Sequence, residues 1–82
     1  MLHTVNKSPF EKNSLETCLR LIDDNSAILL IEDGVYGALK NTSISETVID
    51  AQKITKIYVL GPDLKARGLD KSSLISNIEV ID

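Results

Sequence analysis

The strongest apolar segment of the sequence is Ala27–Glu32, an almost uninterrupted run of aliphatic side chains that ends at Asp33 and Gly34. A run this short, closed by a turn dipeptide, is typical of a β-strand that is buried on both faces. The residues after the turn predict a helix that begins near Asp33 or Gly34. Because open α/β sheets place their sites at the carboxyl ends of strands, we expect any functional edge to lie near Glu32, Asp33, Gly34 and Tyr36.

The rest of the chain alternates between short apolar runs and amphipathic segments. Three further strands are predicted, at Met1–Val5, Ile54–Leu60 and Ile78–Ile81. Ser8–Glu11 has the form of a capping box with proline at the first helical position. The helix that follows is predicted from an apolar stripe at i, i+3, i+4 and i+7, formed by Leu15, Cys18, Leu19 and Ile22. Short helices are predicted on either side of the third strand, the later one ending at Gly68.

This alternation predicts an α/β fold, a small, open, mostly parallel β-sheet flanked by helices on both faces. The 82 residues fit one domain, residues 1–82. A domain of this size buries only about 60% of its unfolded surface, so partner chains are the expected source of extra stability. The sequence ends at Val80–Asp82 with no helix to cover the last strand. We therefore expect either that this end packs on a partner or that the natural chain runs further.

Charge and cysteine content exclude several classes of function. Nine basic and twelve acidic residues give a net charge of −3, which argues against a broad phosphate-binding face. One cysteine cannot form an intramolecular disulfide, and one histidine with one cysteine cannot make a structural zinc site alone. No segment has the roughly 20 apolar residues of a membrane span, and residues 1–30 show no signal peptide. These features favour a reducing, cytoplasmic setting.

Cys18 is the main candidate for chemistry, and it has two interpretations. It lies on the apolar stripe of its helix, where cysteine usually behaves as a small buried hydrophobic residue. The alternative is a thiol that carries persulfide sulfur, which requires partial exposure and a pKa lowered by a helix N-terminus or a nearby cation. Arg20 and Lys12 are close in sequence and are candidates for that cation.

The other polar candidates have simple structural interpretations beside the functional ones. His3 is expected to be a hydrogen-bonded strand residue, since nothing in the sequence fixes its geometry relative to Cys18. Glu32 and Asp33 fit an acid/base pair and fit a helix cap and a strand-end carboxylate equally well. The last pair of candidates, Lys65 and Arg67, is most simply the solvated face of a helix. The glycines match neither a phosphate loop nor a dinucleotide fingerprint.

Three blocks of sequence together resemble the DsrH/TusB family. The first block, Met1–Phe10, resembles the N-terminal sequence of members of that family. Leu30–Ala38, read as LIEDGVYGA, resembles the family segment L-x-(E/Q)-D-G-V, and Tyr58–Gly68 resembles Y-x-L-x-x-D-L-x-A-R-G. The blocks occur in the family's order and spacing and cover nearly the whole chain. Members usually continue past the last strand into a closing helix that contains aromatic residues, and this sequence does not.

The resemblance implies a DsrE-like α/β fold and a place in a cytoplasmic sulfur-relay complex. In that family this type of subunit joins DsrE/TusD-like and DsrF/TusC-like subunits in a heterohexamer. The complex takes up persulfide sulfur and passes it to a DsrC/TusE-like acceptor. Its principal sulfur-carrying cysteine lies on the DsrE/TusD-like subunit. Cys18 coincides with a cysteine of DsrH-type sequences that many TusB-type chains lack, which makes it the catalytic candidate of this chain.

The functional prediction is therefore a subunit of a DsrEFH-type sulfurtransferase complex that acts in intracellular sulfur oxidation. One alternative is a TusB-like subunit of the TusBCD complex, which serves 2-thiolation of the tRNA wobble uridine. Another is a structural subunit that leaves all chemistry to a partner and buries Cys18. None of these readings requires a metal or an organic cofactor. Direct binding of nucleic acid by this chain is not expected, because it is acidic and has few aromatic residues for stacking.

Overall fold

A computed structural model describes residues 2–10, 14–23 and 25–82. Strands and helices alternate along these residues, as the hydrophobic pattern predicts. In chain order the elements are β1 (Leu2–Val5), α1 (Ser14–Leu21), β2 (Ala27–Leu30), a first 3₁₀ helix (Glu32–Ala38), α2 (Ser45–Ala51), β3 (Lys56–Leu60), α3 (Gly61–Ala66), a second 3₁₀ helix (Lys71–Ser73) and β4 (Glu79–Ile81).

The four strands form one parallel sheet in the order β1-β2-β3-β4. Each strand pairs with the next one along the chain, so every connection is a crossover. The register aligns Val5 with Leu30, Leu30 with Val59, and Val59 with Val80. Because residues aligned across a sheet point to the same face, this row of aliphatic side chains lies on one side of the sheet.

The two faces of the sheet are buried to very different extents. The helix-side face carries the row above together with Ile28 and Ile57, and its central side chains are almost completely inaccessible. These side chains share a single core cluster with buried residues from α1, the first 3₁₀ helix, α2 and α3. The second face carries the alternate residues, which are half-buried or exposed: Leu2, Thr4, Ala27, Leu29, Lys56, Tyr58, Leu60, Glu79 and Ile81.

The parallel α/β sheet with helices is as predicted, but the described helices cover one face only and not both. The core cluster and the residues packed on it include no side chain of the second face. The strand order explains this, since right-handed crossovers between consecutive neighbouring strands all fall on the same side of a sheet. The apolar run of β2 therefore does not indicate burial on both sides, because Ala27 and Leu29 remain half-buried.

The apolar stripe of α1 is confirmed. Leu15 and Cys18 lie in the core, and Leu19 and Ile22 pack against it. The capping box predicted at Ser8–Glu11 reaches beyond the described residues. Within them, the Ser8 hydroxyl accepts a hydrogen bond from the Phe10 N–H at 3.2 Å.

Helix α3 is followed by Gly68, the terminating glycine that the sequence predicts. Gly68 has a φ of +67°, which costs a glycine little. Its N–H donates to the Lys65 carbonyl, and the Leu69 N–H donates to the Leu64 carbonyl. This pair of hydrogen bonds is a Schellman motif, and it directs the chain back toward β4.

Candidate functional site

Cys18 lies in the second turn of α1, on the side of the helix that faces the sheet. Only 9% of its surface is exposed, and it belongs to the core cluster with Leu15 and Val5. Burial raises the pKa of the Cys18 thiol, because a thiolate is poorly solvated in apolar surroundings. A thiol in this state is mostly protonated near neutral pH and is a weak nucleophile.

Arg20, one of the two cations expected near Cys18, does not supply the missing activation. Arg20 is exposed on α1, and among the described residues no charge contributes to the pKa of Cys18, which burial raises. Lys12 lies outside the described residues. The buried position therefore fits the interpretation of Cys18 as a hydrophobic core residue.

His3 lies in β1, near the amino end of the sheet, and contributes to the electrostatics of Asp23. The pKa of Asp23 is held below its usual range, first by the hydrogen bond from the Asn25 N–H and next by that from the Ser26 hydroxyl, with a smaller contribution from His3. His3 makes no side-chain hydrogen bond within the described part of the chain. The structure therefore gives no Cys–His pair that resembles a nucleophile and its base.

Glu32 begins a sharp turn at the carboxyl end of β2. Its φ of +50° is unusual for a residue other than glycine. Its N–H donates a short hydrogen bond of 2.6 Å to the carboxylate of Asp63 on α3. Gly34 follows against β1, and a side chain there would collide with the carbonyl of Val5. The turn is therefore fixed on two sides, by Asp63 and by the β1 backbone.

Arg67 also joins this turn to α3. The sequence suggested that Arg67 is part of a solvated helix face, and the structure shows that it is not. Its side chain is 23% exposed and its Nε donates to Asp33 at 2.9 Å. One of its terminal nitrogens donates to the Asp63 carbonyl at 3.1 Å. Lys65, by contrast, is exposed as predicted. Asp33 is thus committed to an ion pair, which favours the structural interpretation of Glu32 and Asp33 over an acid/base pair.

The sequence signal for this connection is the spacing within Asp63–Arg67. Residues four apart lie on one face of a helix, so Asp63 and Arg67 were positioned to act together. The sequence does not show which groups these two side chains bind. Arg67 binds the Asp33 carboxylate, and Asp63 accepts from the N–H of Glu32, both about thirty residues earlier in the chain. Tyr36, the remaining predicted edge residue, is half-buried in the first 3₁₀ helix.

The structure provides neither an assembled metal site nor a membrane segment in its described part. No group of three or more histidine, cysteine, aspartate or glutamate side chains gathers there in a way that suits a metal ion. Among those same residues, no helix is long and apolar enough to cross a membrane.

Comparison with known sequences decides the family. The sequence model described as DsrH like protein matches residues 7–82, nearly the whole chain. This chain belongs to the DsrH-like family. The resemblance drawn from the three sequence blocks is thereby confirmed.

Curated relatives of this DsrH-like chain carry the name Protein TusB. The protein of Pectobacterium parmentieri is 37% identical over 82 residues, which span all of this chain and 82% of the relative. That of Erwinia tasmaniensis is 42% identical over 69 residues, 84% of this chain and 70% of the relative. The Escherichia coli K12 protein is 35% identical over 82 residues, again all of this chain and 82% of the relative.

A solved structure shares the fold of this DsrH-like chain. It is titled "Structure of Protein of Unknown Function MTH1491 from Methanobacterium thermoautotrophicum". The superposition has a TM-score of 0.82 and covers 99% of this chain and 79% of that one. Sequence identity is 14%, so the similarity concerns the fold alone.

Proposed function

We propose that this chain is a TusB-like subunit of a cytoplasmic sulfur-relay complex that supplies sulfur for 2-thiolation of the tRNA wobble uridine. The observation that carries the proposal is the match along the full chain to proteins named TusB. Of the two branches predicted from sequence, these relatives favour tRNA thiolation over sulfur oxidation. The expected partners are DsrE/TusD-like and DsrF/TusC-like subunits, and the expected sulfur acceptor is of the DsrC/TusE type.

In this proposal the chain contributes structure to the complex, and the sulfur-carrying cysteine belongs to a partner. The burial of Cys18 and the raised pKa of its thiol support this division. The contacts among Asp33, Asp63 and Arg67 support it as well, since an ion pair and hydrogen bonds engage these three side chains at the carboxyl edge.

Transient sulfur transfer through Cys18 stays a prediction. In that reaction the Cys18 thiolate would attack the terminal sulfur of a donor persulfide, form a new S–S bond and release the donor as a thiolate. An acceptor thiolate would then attack the terminal sulfur and regenerate Cys18. The reaction balances without a redox cofactor, but it requires access to a side chain that α1 turns toward the core.

Deletion of the gene for this chain in its own host tests the proposed function. We expect 2-thiouridine in hydrolysed tRNA, measured by mass spectrometry, to fall at least tenfold and to return with a plasmid copy. Normal tRNA thiolation together with a loss of sulfur oxidation would reject the proposal and favour the DsrEFH-type role. If neither process changes, both sulfur-relay roles are rejected.

A further inference from the structure

The turn at the carboxyl end of β2 contains a dipeptide that can rearrange chemically. Asp33 is the one aspartate of the sequence that is followed by glycine. Because glycine has no side chain to shield its amide nitrogen, that nitrogen can attack the carboxyl group of the preceding aspartate when the backbone is free to rotate. The Asp33 side chain is 52% exposed, so water has access to it. Asp33–Gly34 is therefore the position at which spontaneous rearrangement of this chain is expected.

The rearrangement is an isomerisation in two steps. The Gly34 nitrogen forms a bond to the side-chain carboxyl carbon of Asp33, and one carboxyl oxygen leaves as water with the amide proton and the carboxyl proton. Water then adds to the resulting succinimide ring. Cleavage of the new C–N bond restores aspartate, whereas cleavage of the original peptide C–N bond gives isoaspartate, with one extra methylene in the backbone. No electrons are transferred, and the water that is released in the first step is consumed in the second.

The fold holds both reacting groups away from this reaction. The Gly34 N–H donates to the Ile31 carbonyl at 2.8 Å, and the Asp33 carboxylate accepts from Arg67 Nε at 2.9 Å. Both residues of the dipeptide lie in the first 3₁₀ helix, and ring closure requires the ψ of Asp33 to leave the helical range. That rotation moves Gly34, which packs directly on the β1 backbone at Val5. The reaction therefore requires the carboxyl edge to open.

We propose that Asp33–Gly34 is a modification site at which isoaspartate forms when the carboxyl edge opens locally, and that the ion pair with Arg67 keeps the site unreactive in the closed chain. The product lengthens the backbone at Gly34, where even a methyl group would collide with the Val5 carbonyl. A chain that contains isoaspartate at this position therefore cannot rebuild the turn and is less stable. This inference is independent of the proposed sulfur-relay function.

Ageing of the purified full chain at neutral pH tests the site directly. One sample is kept folded and a second is unfolded in guanidinium chloride. Isoaspartate is measured with a methyltransferase specific for isoaspartyl carboxylates and is assigned to a residue by mass spectrometry of peptides. We expect isoaspartate at Asp33 to accumulate at least tenfold more slowly in the folded sample. Equal rates in the two samples, or accumulation in the unfolded sample mainly at another residue, would overturn the proposal.

Three variants, aged without denaturant, separate local opening of the edge from unfolding of the whole chain. Arg67→Ala removes the ion pair with Asp33, Lys65→Ala changes an exposed neighbour, and Ile28→Val weakens the core away from the edge. We expect Arg67→Ala to form isoaspartate at Asp33 at least threefold faster than the wild type and the other two to stay within twofold of it. Equal acceleration by Arg67→Ala and Ile28→Val contradicts the proposed role of Arg67. Circular dichroism shows whether each variant is folded, and the wild-type comparison decides if Arg67→Ala is not.

Discussion

The two faces of the sheet are built from the same strands but stabilise the protein very differently. On the helix-side face, Ile28, Leu30 and Val59 are completely inaccessible to solvent. On the second face, Leu29 and Tyr58 alternate with them along the same strands and are only half-buried. Since the hydrophobic contribution scales with the apolar area removed from water, most of the stability of the isolated chain comes from one side of the sheet.

This difference separates what the strand sequences encode from what the connections encode. The β-branched and aliphatic residues of β2 and β3 are compatible with burial on both faces. The order of the strands and the hand of the crossovers determine which face the helices reach. Substitutions at adjacent positions of one strand can therefore measure the two faces independently.

The largest expected effect comes from the pair Leu30→Ala and Leu29→Ala. Loss of the fully buried Leu30 side chain should lower the free energy of unfolding by about 2–5 kcal/mol. Loss of the half-buried Leu29 side chain should cost about 1 kcal/mol, in proportion to its smaller buried area. Urea unfolding followed by circular dichroism measures both, and Ile28→Val, at about 0.5–1.5 kcal/mol, replaces Leu30→Ala if that variant is unfolded. Equal losses at positions 29 and 30 would contradict the difference between the faces.

A second comparison concerns two glycines in turns. Gly34→Ala places a methyl group against the carbonyl of Val5 and should destabilise the protein by about 1–3 kcal/mol or more, because β1 has to shift. Gly68→Ala meets no neighbouring atom and should cost about 1 kcal/mol from its left-handed backbone alone. Chemical denaturation of the two variants gives the order. A larger loss at Gly68 than at Gly34 would refute the close packing of the turn on β1.

At the carboxyl edge we expect a smaller difference in the free energy of unfolding, between the variants Arg67→Ala and Lys65→Ala. Arg67→Ala removes the ion pair with Asp33 and a hydrogen bond to the Asp63 carbonyl. We expect a loss of about 1 kcal/mol, since partly exposed ion pairs contribute little individually. The exposed Lys65 serves as the control and should change unfolding by less than about 0.5 kcal/mol. If both variants unfold at the same urea concentration, the contacts of Arg67 with Asp33 and Asp63 do not stabilise the carboxyl edge of the sheet.

The smallest expected effect is a pH dependence that comes from Cys18. Burial raises the pKa of its thiol in the folded state, so the unfolded state loses this proton first as the pH rises. The stabilisation is complete below the ordinary thiol pKa of about 8.5 and is lost as pH increases through the higher, folded value. Urea midpoints measured from pH 7 to pH 10 should therefore fall more for the wild type than for Cys18→Ala. Parallel curves would indicate a thiol that is not buried.

Sequence patterns were sufficient for the parallel sheet and for the stripe of Leu15 and Cys18, because both depend on local periodicity. They did not reveal the one-sided cover of the sheet, which depends on how successive crossovers are arranged in space. They also misassigned Arg67, since its partner Asp33 is thirty-four residues away.

The most direct test of the proposed structural role is mass spectrometry of the assembled complex after treatment with a persulfide donor. We predict that added sulfur is found on cysteines of the partner subunits and that Cys18 remains a free thiol. A Cys18→Ala complex should load its partner subunits to the same extent. Reducible extra sulfur on Cys18, together with reduced loading of the acceptor in the Cys18→Ala complex, would contradict the account and make this chain a sulfur carrier.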